Sequence, residues 1–475
     1  MTDRGFHSVF TILGMICVTL LSACASDTPY TPNASLAHDT HAFADSQATA
    51  IAPVPARWWR LYDDRVLDEL VTRSLSANAD LRTAYANLDA ARSALTAAQR
   101  MRLPQTVAES SLGVDSPAGQ PSAVNVPSSD YDIAATASWD IDLFGRLRAA
   151  SVAAGADAAA QQAALDGVRV AVAADTTLAY IDYCGANASA AVAADLVRTQ
   201  SQSVAVVEDQ LAVGEVSPLE LAQANNLLAA ARARLPVFAS ARANALYRLA
   251  VLQGVTPAQA RQWSWTCRHL PELRTRLPVA DGQALLLRRP DIREAERRLA
   301  ATAARVGVAR ADLYPKINLG GAVGLLSGGL VSTLTPLVSW NFANQSVARA
   351  RINQARASAS ASLAQWDATV LNALAEVETG LADYQAQRLQ LDHLDDALAQ
   401  ARLYAKRAAA RVRIGDAGFL IQYDAERVQA DAALQQVQSR LAMARAQVQL
   451  FRALGGGWQD APAPQLPAST PRPVK

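Results

Sequence analysis

Chemistry-bearing side chains are sparse in this chain, and their sparsity argues against most enzymes. Five histidines occur in 475 residues. His7 lies in the leader, and His38 and His41 lie in the polar stretch behind it. Only His269 and His393 fall in the body, and neither belongs to a paired Cys/His motif of the kind that holds zinc, so a metal site is not expected. The glycines between Gly320 and Gly329 lack the Lys-Ser/Thr ending of a phosphate loop and read as small strand and turn residues. No catalytic constellation and no cofactor site emerges, and an enzyme is not expected. Charge of one sign is lacking as well: 44 Lys and Arg against 43 Asp and Glu leave a net charge of +1. Nothing marks a nucleic-acid partner. Aromatics make up only 6%, and the abundant alanine, leucine, glutamine and arginine suit long helices packed closely together.

Residues 285–325 set the pattern for the rest. Pro290, with Asp291, Glu294 and Glu296 behind it, opens an amphipathic helix. The missing proline N–H costs nothing in a first turn, and acids favour the positive end of the helix dipole. Past Tyr314-Pro315, Ile317, Leu319, Val323 and Leu325 alternate with Asn318, Gly320, Ala322 and Gly324, a period of two that predicts a strand. The same arrangement is written earlier in the chain. Asp80, Arg82 and Pro104 recur 211 residues on as Asp291, Arg293 and Pro315, and beyond the strands the offset becomes 201. Trp139 then matches Trp340, Tyr183 matches Tyr384, Gly214 matches Gly415 and Gly254 matches Gly455. A longer hairpin loop in the first copy explains the change, so the chain is a tandem duplication.

The first residues read as an address. Arg4 precedes an apolar run over 9–21 that is too short to span a bilayer as a helix, and Leu21-Ser22-Ala23-Cys24 follows. These four residues resemble a bacterial lipobox, which predicts a lipoprotein signal peptide over 1–23 and Cys24 as the lipidated first residue of the mature chain. An ordinary signal peptide with an incidental cysteine is the alternative. Ala25 after Cys24 favours outer-membrane sorting. Residues 24–56 are Ala, Thr, Asp, Ser and Pro without period and predict a flexible tether. Once Cys17 leaves with the signal, Cys184 and Cys267 remain in a compartment where disulfides persist. They either pair or stay as two buried thiols, and sequence supplies no Cα distance to decide.

Strands are predicted over 105–114, 131–141, 316–325 and 334–342, with a Ser-, Pro- and Gly-rich loop over 115–130 and a tighter turn at Ser327-Gly328-Gly329. Tyr131, Ile133, Ala135, Ala137, Trp139 and Ile141 share a face, as do Leu334, Pro336, Val338, Trp340 and Phe342. Four strands neither close nor cover their edges, so the chain must oligomerise if they enter a membrane. Trp139 and Trp340, near equivalent strand ends, suit an aromatic girdle at the lipid interface; a soluble sandwich fits less well, because the helices supply no second sheet. Long helices are predicted over 144–213, about 100 Å at 1.5 Å per residue, and over 346–414. Each turns back through glycine into a returning helix ending at Leu252 or Leu454. Such helices pack side by side as coiled coils. Trp58-Trp59 pack on this body or form an interfacial belt.

The duplicated segment over 288–319, the junction Trp139-Asp140-Ile141-Asp142-Leu143-Phe144-Gly145-Arg146 and the lipobox resemble the TolC-type outer-membrane efflux factors, in their OprM/NodT-like lipoprotein branch. The resemblance covers about 56–457. It implies a mainly α chain with membrane β: a homotrimer whose twelve-stranded outer-membrane barrel continues into a long periplasmic α-helical barrel. Two structural repeats follow, 57–265 and 266–457, with a disordered tail over 458–475. The implied function is a passive exit duct for small molecules and drugs, a part of multidrug resistance. Its implied partners are a periplasmic adaptor, an inner-membrane RND-type transporter and outer-membrane lipid. Asp424, nine residues after Gly415, matches the family's constricting aspartate, and Leu420, one turn earlier, matches its apolar constriction. In a trimer each becomes a ring, in which three carboxylates raise one another's pKa and an apolar ring resists wetting. Gln223 stands at the matching position of the first copy, and Arg427 is expected to pair with an acid on a neighbouring helix. A type I protein-secretion duct and a pore-less lipid-anchored coiled-coil scaffold are the alternatives.

Overall fold

The computed structural model describes residues 49–115, 128–263, 265, 267, 269–273, 276–279, 288–326, 329–340 and 342–462. The signal peptide, Cys24, most of the tether, most of the 115–130 loop, Ser327-Gly328 and the tail past 462 lie outside the described residues. In chain order the elements are β1 (Thr49–Ile51), a 3-10 turn (Trp58–Tyr62), α1 (Arg65–Ala77), α2 (Ala79–Arg100), β2 (Gln105–Asp115), β3 (Ser128–Ile141), α3 (Arg146–Ala212) and α4 (Pro218–Leu252). There follow α5 (Pro257–Ala260), β4 (Leu277–Val279), α6 (Pro290–Ala311), β5 (Lys316–Leu326), β6 (Gly329–Ser339), α7 (Gln345–Arg413) and α8 (Phe419–Ala453). The run α2–β2–β3–α3–α4 recurs as α6–β5–β6–α7–α8, and the long helices start and stop within two residues of the sequence-based bounds. Among the described residues no helix is long and apolar enough to cross a membrane.

Contacts divide the chain into two compact units. One holds residues 88–161 and 294–367 and contains a four-stranded sheet of order β2-β3-β5-β6, antiparallel throughout. The two hairpins are copies in register as well as in sequence. Gln105 faces Ser138 in the first and Lys316 faces Ser339 in the second, so the 211 and 201 offsets carry one ladder onto the other. β3 and β5 join the copies, with Trp139 opposite Leu319, and β2 and β6 each pair on one side only. The last strand corrects the expectation of 334–342: it runs from Gly329 to Ser339, and Phe342–Asn344 is a 3-10 turn. Alternation of side chains reports the phase of a strand, whereas its ends are set by the partner ladder, which begins at Leu326 opposite Gly329. The helical part of this unit buries Leu88, Leu147, Leu299 and Ala301, and Phe144 stacks on Tyr314 with centroids 4.6 Å apart.

The other unit holds residues 35–87, 162–293 and 368–475. Trp58 and Trp59 are buried there, and Trp58 stacks on Phe451 at 4.7 Å. The duplication is visible in how each repeat is tied to itself. The buried Asn78 donates from Nδ2 to the carbonyl of Leu252 at 3.2 Å, and the buried Arg289 donates from Nη1 to the carbonyl of Ala453 at 2.9 Å. Both acceptors lie at the end of a returning helix, where carbonyls lack intrahelical partners. Each helix then stops at a glycine with φ +65°, Gly254 or Gly455. At Gly254 a Cβ would sit 2.8 Å from the carbonyl oxygen of Ala77, which leaves no room for another residue.

Candidate functional site

The turn joining α7 to α8 is built by glycine. Gly415 has φ +75° and ends α7, while Asp416 N–H closes the turn onto the carbonyl of Arg411 at 2.9 Å. Its copy, Gly214, ends α3 in the same way, with Glu215 N–H on the carbonyl of Gln210. The starts of the returning helices differ. Ser217 and Glu220 form a capping box on α4, whereas Gly418 caps α8 with no side-chain bond.

Six residues inside α8 lies Asp424. Its Oδ2 accepts from the Tyr404 hydroxyl at 3.2 Å, and its Oδ1 accepts from Arg427 Nη2 at 2.7 Å. The hydrogen bond from Arg427 holds Asp424 below the ordinary carboxylate range. Within one chain the shift is therefore opposite in direction to the one expected from a ring of carboxylates. Arg427 also corrects its expectation: its acids are on its own helix, Asp424 at i−3 and Asp431 at i+4, because that spacing brings side chains together on one face. Asp431 in turn meets Arg234 of α4 at 2.9 Å. Leu420 lies one turn before Asp424 on that face and is 62% exposed.

A neighbouring face of α8 packs inward. Tyr423 is buried among Val204 and Val207 of α3 and Ala224 and Leu228 of α4, so the second repeat's helix is seated on the first repeat's hairpin. One turn on, Glu426 accepts from Ser203 at 3.3 Å, Gln200 at 3.5 Å and Gln422 at 2.9 Å. All three partners are neutral, and burial pushes its carboxyl above the usual range. Phe419, Tyr423 and Glu426 recur at helical spacing; that pattern was the available signal, but nothing in sequence says which neighbour such a face meets.

Trp139 and Trp340 are brought to matching places: their indoles donate to the carbonyls of Arg102 and Leu313, both at 3.0 Å. Across the sheet, opposed residues share a face. Ile133, Leu325 and Leu330 form one exposed apolar row, and Ile141, Ile317 and Val338 form a second in which Val338 is exposed and the two isoleucines are half-buried. Asp140, Asn318 and Leu337 occupy the other side. Cys184 and Cys267 are joined as a disulfide with Cα atoms 5.3 Å apart. Among the described residues no group of His, Cys, Asp and Glu is placed to hold a metal ion.

The sequence pattern of the outer membrane efflux proteins matches residues 70–255 and 282–456. The chain belongs to that family. The two matched stretches are its two repeats. Among its relatives, the toluene efflux pump outer membrane protein TtgF of Pseudomonas putida is 29% identical over 435 residues, covering 86% of this chain and 87% of its own. The cation efflux system protein CusC of Escherichia coli O157:H7 is also 29% identical, over 416 residues, covering 85% and 89%. The solved outer-membrane channel OprN superimposes with a TM-score of 0.82 at 33% identity, covering 91% of this chain and all of that one. The sheet, the helical hairpins and their order are thus those of an efflux channel.

Proposed function

We propose that this chain is the outer-membrane channel of a tripartite efflux pump, a passive duct through which small molecules leave the periplasm. The observation that carries the reading is the sheet. Its apolar face, exposed at Ile133, Leu325, Leu330 and Val338, suits contact with lipid, and its two one-sided edge strands need partner strands. Three copies supply twelve strands, more than the eight at which membrane barrels close. In this reading Cys24 carries the lipid, residues 24–56 tether it to the body, and Trp139 and Trp340 lie in the aromatic girdle. The two structural repeats over 57–265 and 266–457 form the wall, which continues as a helical barrel into the periplasm.

Leu420 and Asp424 close the periplasmic tip. They share one exposed face of α8, and threefold symmetry turns each into a ring. A periplasmic adaptor and an inner-membrane RND-type transporter open it and supply the energy. The names of relatives support efflux over protein secretion, and two equally similar relatives are named for toluene and for cations, which supports a choice of cargo made outside the shared duct. Purified full-length protein reconstituted in a planar bilayer tests the reading: an SDS-resistant trimer giving stepwise currents is expected. A monomer without current overturns it.

A further inference from the structure

The sheet has a second face, and the register fixes what stands on it. Ile133 of the apolar face lies opposite Ser110, so Gln105, Val107 and Glu109 of β2 point to the other side. Glu109 is exposed, and its side chain forms no hydrogen bond or ion pair among the described residues. At its height the sheet offers Ala134 of β3, Gly324 of β5 and Val331 of β6, three residues that neither cover a carboxylate nor bond one. In sequence the four strands hold the acids Glu109, Asp115, Asp130, Asp132 and Asp140 against a single base, Lys316. The ladder gives all these positions the same phase. Lys316 stands eight residues from Gly324, about 26 Å along the strand, and is engaged by Asp312 at 3.4 Å.

We infer that Glu109 is a specificity-determining residue of the duct, favouring the passage of cationic solutes over anionic ones. This inference rests on the channel reading and deepens it by giving the sign of charge that the barrel admits most readily. The apolar face meets lipid, so Glu109, about 13 Å inside the start of β2, faces the lumen. Twelve strands about 4.8 Å apart and tilted about 40° close at a radius of about 12 Å, which puts a glutamate carboxylate about 7 Å from the axis. Screening at physiological salt acts over about 8 Å, so three copies of Glu109 at one height are felt across the whole opening.

At that range three carboxylates favour a cation over an anion about tenfold in the plane of the ring. The ratio for the whole path is smaller, because the ring is one segment of it. The effect is a field over a short length of duct, with no ion held. It sorts solutes by sign of charge and leaves the choice of compound to the pump.

Ion selectivity of the full-length protein in planar bilayers tests this. The D424A chain is used as background, since it has no acid at position 424 to add a bias of its own, and the reversal potential is read across a KCl gradient. With Glu109 in place the potential is expected to report a preference for K⁺. E109Q should lower the cation-to-anion permeability ratio by about twofold or more, and E109K should lower it further. The differences should fade near 1 M salt, where screening shortens to about 3 Å. Equal ratios for Glu, Gln and Lys at low salt would overturn the inference, as would a ratio that rises in E109Q. If E109K fails to insert, E109Q, which removes the charge and keeps the shape, still decides. If the wild-type chain is monomeric and gives no current, the channel reading itself falls; a conducting channel with unaltered selectivity sinks the role of Glu109 alone.

Discussion

Asp424 of α8 and Tyr404 of α7 are joined across the second helical hairpin, the tyrosine hydroxyl donating to the carboxylate at 3.2 Å. The contact ties the returning helix to the one before it at the level of the proposed constriction. Arg427 holds the other carboxylate oxygen, so the acid is fixed from two sides.

Replacing Asp424 with alanine therefore removes both ties and frees the start of α8, whose cap is already the weaker of the two. We expect the D424A channel to show a larger resting conductance in planar bilayers, and Y404F a smaller increase, since it removes one bond of the two. Because Arg427 lowers the carboxyl's pKa, the ionised contact is complete above the ordinary carboxylate range and is lost as pH falls through the lowered value. Resting current of the wild type should thus rise only below the ordinary carboxylate range, a rise at higher pH would mean that the ring of three carboxylates outweighs Arg427, and D424N should show no such pH dependence.

Glu426 behaves in the opposite sense. Burial raises its pKa, so the folded protein binds this proton more tightly than the unfolded chain, and the ionised group opposes packing at neutral pH. E426Q keeps a polar side chain for Ser203 and Gln200 without the charge. Thermal melts at neutral pH should show it slightly more stable than wild type, by about 1 kcal/mol at most for a group that water still partly screens. The gain should shrink as pH falls through the raised pKa and vanish below the ordinary glutamate value of the unfolded chain, and an unchanged or lower melting point at neutral pH would refute this account.

Gly254 and Gly415 both adopt positive φ, yet their surroundings differ. A Cβ at Gly254 meets the Ala77 carbonyl at 2.8 Å, whereas a Cβ at Gly415 meets nothing within 4 Å. G415A should cost about 1 kcal/mol for conformation alone. G254A should cost distinctly more, because backbone must move as well. Comparing melting points of the two variants checks the order.

The Cys184–Cys267 bond closes a sequence separation of 83 residues. In the chain-entropy account a loop of that size is worth about 4.5 kcal/mol. Paired serine substitution at both positions should lower the melting temperature and leave single-channel conductance unchanged, since neither cysteine adjoins the Leu420 and Asp424 face. A conductance change would mean that the staple also sets the tip.

Much of this was legible in the chain because it is written twice. Helix starts such as Pro290, the glycine turns at 214 and 415 and the long helices follow from local rules, and a repeated pattern reports them twice over. The candidate site was only half legible. Leu420 and Asp424 stood out by position after Gly415, but Tyr404 lies twenty residues earlier on another helix, and no spacing rule connects it to Asp424. The sequence leaves Arg427 free to reach a neighbouring helix, although its nearest acids are one turn away on its own. Tyr423 and Glu426 form a face whose partner belongs to the first repeat.

What the sequence by itself determined is periodic and local: two copies of one helix–hairpin–helical-hairpin unit, the phase of each strand and the glycines that turn the chain. Propensity, side-chain period and turn chemistry act over a few residues, so they can be read there. Only the tertiary structure decided where β6 ends, which acids Arg427 holds, that Cys184 meets Cys267, and that β3 joins β5 to leave β2 and β6 as the edges. Those outcomes depend on which surfaces remain to be buried once the local elements have formed, and that competition among distant faces has no signature in any one stretch of sequence.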